Sequence, residues 1–372
     1  MEEPITLADV FVSITDPRQS AKVRYDLVEV LTVAVCAVLS GADTLVEIEL
    51  WAKEKLGWLR QYLPLEAGIP SHDTFGRILA LIDPAEFASA FQRWTAAVVP
   101  ALGDQVVAID GKSSRRSRSV AGNPLHLVSA FAARYRLVIG QQAVADKSNE
   151  KTAIAELLTT LALKGCVVTI DAMGTDPNIA KAIRERAADY VLAVKDNQKR
   201  LAESIRDFFQ DFQRTPAATP HQAFETIEKD HGRLEIRRCY VFDQLACLDR
   251  PERWPDLGSF AVIESQRTIQ AKTTTERRFY ISSLPANAEQ LAQAVRQHWT
   301  VENNLHWCMD VAFADDQMRL RTQHAAHNLA LLKKLVLNLF RLNPTKRKGG
   351  IQARRLIAAT SDAYRAQLLG WS

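Results

Sequence analysis

Two short stretches constrain this chain more than any other feature: Val106-Val107-Ala108-Ile109-Asp110 and Val167-Val168-Thr169-Ile170-Asp171. Each is an apolar run that ends in a carboxylate. A strand with one wet face alternates apolar and polar residues, whereas a run without alternation is covered on both faces, as in parallel sheets flanked by helices. A third such run is Tyr190-Val191-Leu192-Ala193-Val194-Lys195. Leu125 to Phe131 and a segment from Arg136 are strand-like around a turn at 133–135, and helices are expected over Glu150–Leu163 and Asp176–Ala188. The order β, β, β, α, β, α, β predicts an α/β fold with a mixed sheet and crossover helices.

The flanking segments have a different pattern. Leu27, Val30, Leu31, Val35 and Val38 recur at helical spacing, and Ser71 precedes another helix, so residues 1–100 form a helical N-terminal domain. It reads as a bundle that packs or docks, with a DNA-end-binding module as the alternative. Residues 101–220 hold the first part of the core. Residues 221–285, with alternating stretches such as Leu234-Glu235-Ile236-Arg237-Arg238-Cys239-Tyr240-Val241, predict a β-strand insertion of antiparallel hairpins. Helix returns over 286–342, and 343–372 forms a basic C-terminal tail.

Composition excludes several classes. With 372 residues, 47% of them hydrophobic, and only 15 Gly and 14 Pro, the chain is neither disordered nor collagen-like. Five cysteines without a C-x-x-C pair suit reduced thiols in a cytosol. No apolar run is long enough to cross a bilayer, and the N-terminus lacks a secretion-signal layout, so no membrane partner is expected. Charge is uneven: residues 1–100 carry 8 basic and 14 acidic side chains, whereas 301–372 carry 11 and 5. A near-neutral whole with basic segments suggests a surface that meets a polyanion.

Asp110 and Asp171 stand where ligands gather in open α/β sheets, at the carboxyl ends of strands. A lone aspartate there is commonly a helix cap or turn former; two from separate strands raise a functional reading to equal footing. Glu302 joins Leu291, Val295 and His298 on one helical stripe. A carboxylate facing a core is costly unless paired, protonated or metal-bound, and Arg296, Arg319 or Arg321 could supply an ion pair. Three converging carboxylates would suit Mg²⁺ or Mn²⁺, and two such ions would activate a water or hydroxyl and stabilise the leaving oxygen in a phosphoryl transfer. His298-x3-Glu302-x3-His306 is a weaker zinc alternative, and Gly111-Lys112-Ser113 lacks the upstream glycine of a phosphate loop. Basic residues flank the carboxylates at separate places: Lys112, Arg115, Arg116, Lys195, Arg319 and Arg321, with a further set from Lys333 to Arg355. Such an arrangement suits a phosphodiester substrate. Trp299 and Trp307 read as packing residues, with stacking on an unpaired base as the alternative.

These motifs together resemble a known family. Ala108-Ile109-Asp110-Gly111-Lys112, Thr169-Ile170-Asp171-Ala172 and the run Tyr190 to Gln198 are similar to DDE transposases of bacterial insertion sequences. His231-Gly232-Arg233-x-Glu235-x-Arg237, His298-Trp299-x2-Glu302-Asn303-x-Leu305-His306-Trp307, Asp310-Val311-x-Phe313, Asp316 and Arg319-x-Arg321 narrow the likeness to the H-repeat-associated branch. The resemblance implies a ribonuclease H-like core and Mg²⁺-dependent DNA cleavage and strand transfer at element ends. It makes Asp110, Asp171 and Glu302 the catalytic, metal-binding triad. It further implies double-stranded DNA as partner (element ends and target), a homodimer on DNA, and a bacterial cytoplasmic, nucleoid-associated location. Lys112, Arg115, Arg116, Lys195, His231, Arg233, Arg319 and Arg321 are the expected DNA contacts. The wider family's Tyr, Arg and Lys around the glutamate are Val295, His298 and Met309 here. A catalytically silent DNA-binding copy and a metal nuclease without strand transfer are the alternatives.

Overall fold

A computed structural model describes residues 6–99, 102–117, 124–144, 150–230, 232–270, 272–343 and 349–371. Helices come first: α1 (Leu7–Val12), α2 (Leu27–Leu39), α3 (Leu45–Glu54), α4 (Leu56–Leu59), α5 (His72–Leu81) and α6 (Pro84–Val98). Their starts follow local chemistry. Thr44 and Glu47 close a capping box at α3, Ser71 accepts from the Thr74 amide at α5, and Asp83 with Pro84 opens α6.

The sheet then begins with β1 (Val106–Ser114), β2 (Leu125–Ala132) and β3 (Leu137–Val144) as an antiparallel meander. Next, α7 (Glu150–Thr160) crosses to β4 (Val167–Ile170), and α8 (Pro177–Glu185) crosses to β5 (Asp189–Val194). Both β4 and β5 run parallel to β1, giving the order β3-β2-β1-β4-β5. This is the ribonuclease H-like arrangement, reached in the element order expected from the apolar runs. One difference concerns β1, which continues four residues past Asp110 because it stays paired with β2 as far as Ser114↔Leu125.

After α9 (Lys199–Arg214) come β6 (Gln222–Asp230), β7 (Arg233–Phe242), β8 (Ser259–Ile269) and β9 (Lys272–Ser282), paired in sequence as antiparallel neighbours. They do not form a separate layer. β9 pairs with β5, so one nine-stranded sheet spans core and insertion.

Side chains divide by strand parity. Val107, Ile109, Val128 and Ala130 pack with α7, α8 and α9 on one face. Ala108, Leu127 and Phe131 pack on the other with the N-terminal helices and with α11 (Trp307–Phe313), α12 (Ala325–Leu342), α13 (Ile351–Thr360) and α14 (Asp362–Leu369), while α10 (Ala288–His298) packs on Val106, Val167 and Val191. The last two helices lie against the N-terminal layer, where Trp371 stacks on Tyr62 and Arg365 covers the Trp58 ring.

Helix α12 is buried along nearly its whole length, so each polar residue on it needs a partner. Asn338 acts as a piece of strand: its Oδ1 accepts from the Val138 amide at 3.0 Å and its Nδ2 donates to the Val138 carbonyl at 2.7 Å. It thereby closes the edge of β3. Lys333 donates to the Phe313 carbonyl at 2.8 Å, and Lys334 donates to Ser129 at 2.7 Å and Gln141 at 2.6 Å. Arg355 binds the Val38 carbonyl at 3.0 Å and Asp43 at 2.8 Å. Four members of the expected basic set, Lys333, Lys334, Arg354 and Arg355, are therefore buried inside the protein and present no charge to a polyanion. Their N–H donors satisfy carbonyls and hydroxyls that burial would otherwise leave unpaired. Among the described residues, no helix is long and apolar enough to cross a membrane.

Two outcomes follow. Replacing Asn338 with Leu keeps the volume but orphans one amide and one carbonyl, and urea unfolding should show a loss of about 2–4 kcal/mol. Burial lowers the Lys334 ammonium from 10.5 to about 7. The unfolded chain then holds the extra proton between those values, so stability rises with pH from about 7 to 10, by about 1.4 kcal/mol per pH unit from this group. Lys334→Met should remove that slope; equal slopes in both proteins would refute the account.

Candidate active site

Register alone brings two of the carboxylates together. β1 and β4 run parallel with Ile109 opposite Ile170, so Asp110 and Asp171 occupy the next rung on adjacent strands, about 4.8 Å apart at the backbone. Both lie on the parity that faces α10. Asp110 Oδ1 accepts from the Gly111 amide at 2.9 Å, and its Oδ2 accepts from His306 Nε2 at 2.9 Å. Asp171 Oδ1 accepts from the amides of Met173 at 3.0 Å and Gly174 at 3.2 Å, while Thr175 ties the same turn to the Ala193 carbonyl on β5. Burial raises the Asp171 carboxyl above the usual carboxylate range; the Gly174 amide opposes this, and the charges of Asp110 and Glu150 add to it.

Glu302 comes from the segment that follows α10. Helix α10 lies across β1, β4 and β5. It ends at His298, and the chain passes through a turn at Trp299 into a π-helical segment, Glu302–His306, before α11. The straight stripe from Leu291 to Glu302 is broken there, so Glu302 is exposed rather than facing the core. The alternative arginine pair is not formed: Arg296 goes to Glu228 at 2.9 Å, and the Glu302 carboxylate makes no hydrogen bond or ion pair among the described residues. The imidazole of His298 lies within electrostatic reach of all three carboxylates. Burial nevertheless holds it below its usual range, and its Nδ1 bonds the Thr169 hydroxyl at 3.0 Å.

The donors present are oxygens of the kind a hard divalent cation takes: Asp171 keeps Oδ2 free of hydrogen bonds, and Glu302 is unpartnered. Among the described residues, no three His, Cys, Asp or Glu side chains stand close enough to hold an ion as they lie. The zinc alternative built on His298, Glu302 and His306 is not formed, since both rings are turned to the sheet.

The basic residues fall into groups. Lys112 is spent inside, bonded to the His306 carbonyl at 3.0 Å and to Asp310. Lys195 lines a small cleft of about 110 Å³ with Asp171, His298, Arg278 and Trp299. Arg115, Arg116, Arg319 and Arg321 converge from two distant segments on an open pocket, and among the described residues only Arg115 stands near an acid, Asp316 at 3.8 Å. Arg233 lines a larger cleft of about 830 Å³ between the insertion strands and α10. His231 lies outside the described residues. Trp299 and Trp307 are 41% and 63% exposed, which overturns their reading as packing residues.

Sequence reasoning did not single out Ser113, His126 and Glu150, which form a hydrogen-bonded row beside the centre: Ser113 Oγ to His126 Nδ1 at 2.8 Å and His126 Nε2 to Glu150 at 2.7 Å. No spacing could reveal it, because the three come from two strands and a helix start. Gly111 exists where that row crosses β1. A Cβ there would stand 2.9 Å from His126 Nε2 and 3.2 Å from Glu150 Cδ.

Comparison with known proteins completes the description. Residues 8–95 match a family model described as DDE_Tnp_1-associated, and residues 101–339 match that of the transposase DDE domain. The chain is 38% identical over 369 residues to the H repeat-associated putative transposase YhhI of Escherichia coli K12, covering 96% of each chain. It is 42% identical over 283 residues to a protein of the dhlA 3′ region of Xanthobacter autotrophicus, covering 74% of this chain and 94% of that one. A piggyBac transposase synaptic complex with hairpin DNA aligns with 8% identity and a TM-score of 0.46 over 100% of this chain and 81% of that one, too loose to bear on the site.

The packing at Gly111 gives a direct test. Gly111→Ala should destabilise the protein by about 1–3 kcal/mol through overpacking. Gly57→Ala, where nothing lies within 4 Å, should be neutral or stabilising. Equal melting temperatures for the two variants would refute the packing argument.

Proposed function

The chain belongs to the DDE transposase family, and on that premise we propose that it cleaves DNA at insertion-sequence ends and joins the freed ends to a target, using Mg²⁺ or Mn²⁺. The observation that carries this reading is the shared rung of Asp110 and Asp171; Glu302, on the segment after α10, would complete the set. Asp110, Asp171 and Glu302 would be the residues that hold the divalent ions. When bound, such ions would supply activation of the attacking oxygen and stabilisation of the leaving one in an in-line displacement.

The remaining roles belong to the chain itself. Amides of Met173 and Gly174 fix one oxygen of Asp171, which leaves the other directed for binding. Arg115, Arg116, Arg319 and Arg321 give the phosphate backbone a cationic path past the centre, and Lys195 and Arg233 extend it along the clefts. Exposed Trp299, with the Arg278 guanidinium 4.3 Å from its ring centre, offers a face for an unpaired base. The same reading puts the protein on DNA as a homodimer in the bacterial cytoplasm, at the nucleoid, because two ends must be brought together.

Purified protein, labelled element ends and a supercoiled target test this. Joined products support transposition, cleavage alone indicates a nuclease, and a mobility shift alone indicates a silent DNA binder. Asp110→Asn, Asp171→Asn and Glu302→Gln should each abolish cleavage while leaving end binding intact; nicking by any of them would remove that residue from the triad. Arg319→Ala with Arg321→Ala should weaken DNA binding and flatten its salt dependence by about one to two in log–log slope.

A further inference from the structure

Glu302 is bracketed, four residues to either side, by two histidines that the function above leaves unused. His298 bonds Thr169, two residues before Asp171 on β4, and His306 bonds Asp110 on β1. A second rung lies beyond: Lys112, two residues after Asp110, reaches the His306 carbonyl and Asp310, four residues after His306. The spacing is commensurate. Two residues of strand advance about 6.6 Å and four of helix about 6 Å, so strand positions i and i+2 face helix positions j and j+4.

Between the two histidines the backbone leaves α-geometry. The Trp307 amide donates to the Glu302 carbonyl, the five-residue step of a π-turn. Such a bulge re-aims the side chains after it, and bulges of this kind recur at functional sites. Glu302 itself has no partner among the described residues, so only its backbone holds its direction. The carboxylates of Asp110 and Asp171 repel that of Glu302. The contacts at His298, His306 and Lys112 tie its segment to the two strands against that repulsion.

We propose that His298, His306 and Lys112 are positioning residues that seat the Glu302 segment on the two aspartate strands, so that a divalent cation binds tightly because of them although none of the three is a ligand. The inference rests on the carboxylate-centre reading above. It extends that reading to residues outside the triad.

The test is Mn²⁺ binding by the full chain, followed by electron paramagnetic resonance and calorimetry, with hydrogen exchange of amides 299–310 in parallel. His306→Gln keeps an N–H donor at the same reach and should bind within about threefold of the parent. His306→Leu fills the space without the donor and should bind about 10- to 100-fold more weakly, with faster exchange over the segment. Lys112→Met guards against a leucine variant that does not fold. Removing a positive charge beside an anionic centre should tighten cation binding by electrostatics alone, so weaker binding there supports positioning and tighter binding overturns it. Unchanged or tighter binding in His306→Leu, or equal losses in the Gln and Leu variants, would also overturn the proposal. If Asp110→Asn binds Mn²⁺ as the parent does, the carboxylate centre itself fails, and the positioning proposal falls with it.

Discussion

Backbone pairing between β1 and β4 is the constraint on which everything else at the centre rests. Carboxylates repel, and no side-chain preference would bring Asp110 beside Asp171. A sheet register can, because pairing Val106 with Val167 and Ile109 with Ile170 leaves the next two residues no other place. Sliding β1 by one residue would turn Asp110 toward α7 and Val107 toward α10. Its apolar run is buried on both faces, so every residue from Val106 to Ile109 resists that slip. The hydrophobic runs are therefore the force that holds two like charges side by side.

Much of this was legible because strands and helices have short periods. The three apolar runs, the two strands that follow the first of them and the crossover helices emerge in the expected order, since each signal sits within about ten residues of sequence. Other features depend on contacts between distant segments. That β9 joins β5, making insertion and core one sheet, is set by the exposed edge of β5 and not by any pattern within 221–285. Glu302 is exposed because the helical stripe from Leu291 stops at Trp299, where the helix breaks, and no residue pattern marks that break. The basic stretch from Lys333 onward looked like a surface because lysine and arginine are so seldom buried. Helix α12 buries Lys333 and Lys334 only because Phe313, Ser129 and Gln141 offer acceptors at the right places.

Two populations of positive charge result, and they behave differently. The internal ones are locked to carbonyls, side-chain oxygens or single carboxylates: Lys334 holds α12 to β2 and β3, Lys333 holds α12 to α11, and Arg355 holds α13 to α2. The exposed arginines at 115, 116, 319 and 321 have almost no acidic partners among the described residues. Net charge counted along the chain mixes the two, which is why a formal value of +4 says little about where a polyanion could lie.

That division bears on the centre itself. The cations nearest the three carboxylates in sequence are already neutralised: Lys112 by Asp310 and Arg296 by Glu228. Asp110, Asp171 and Glu302 therefore have no lysine or arginine partner among the described residues. On the proposed function, a phosphodiester meeting such a place needs its own charge compensated, and the exposed arginines 115, 116, 319 and 321 would be the groups to do so. Segregating cations in this way would let one protein attract metal ions and nucleic acid together. Mixing the same residues at random around the carboxylates would cancel both attractions.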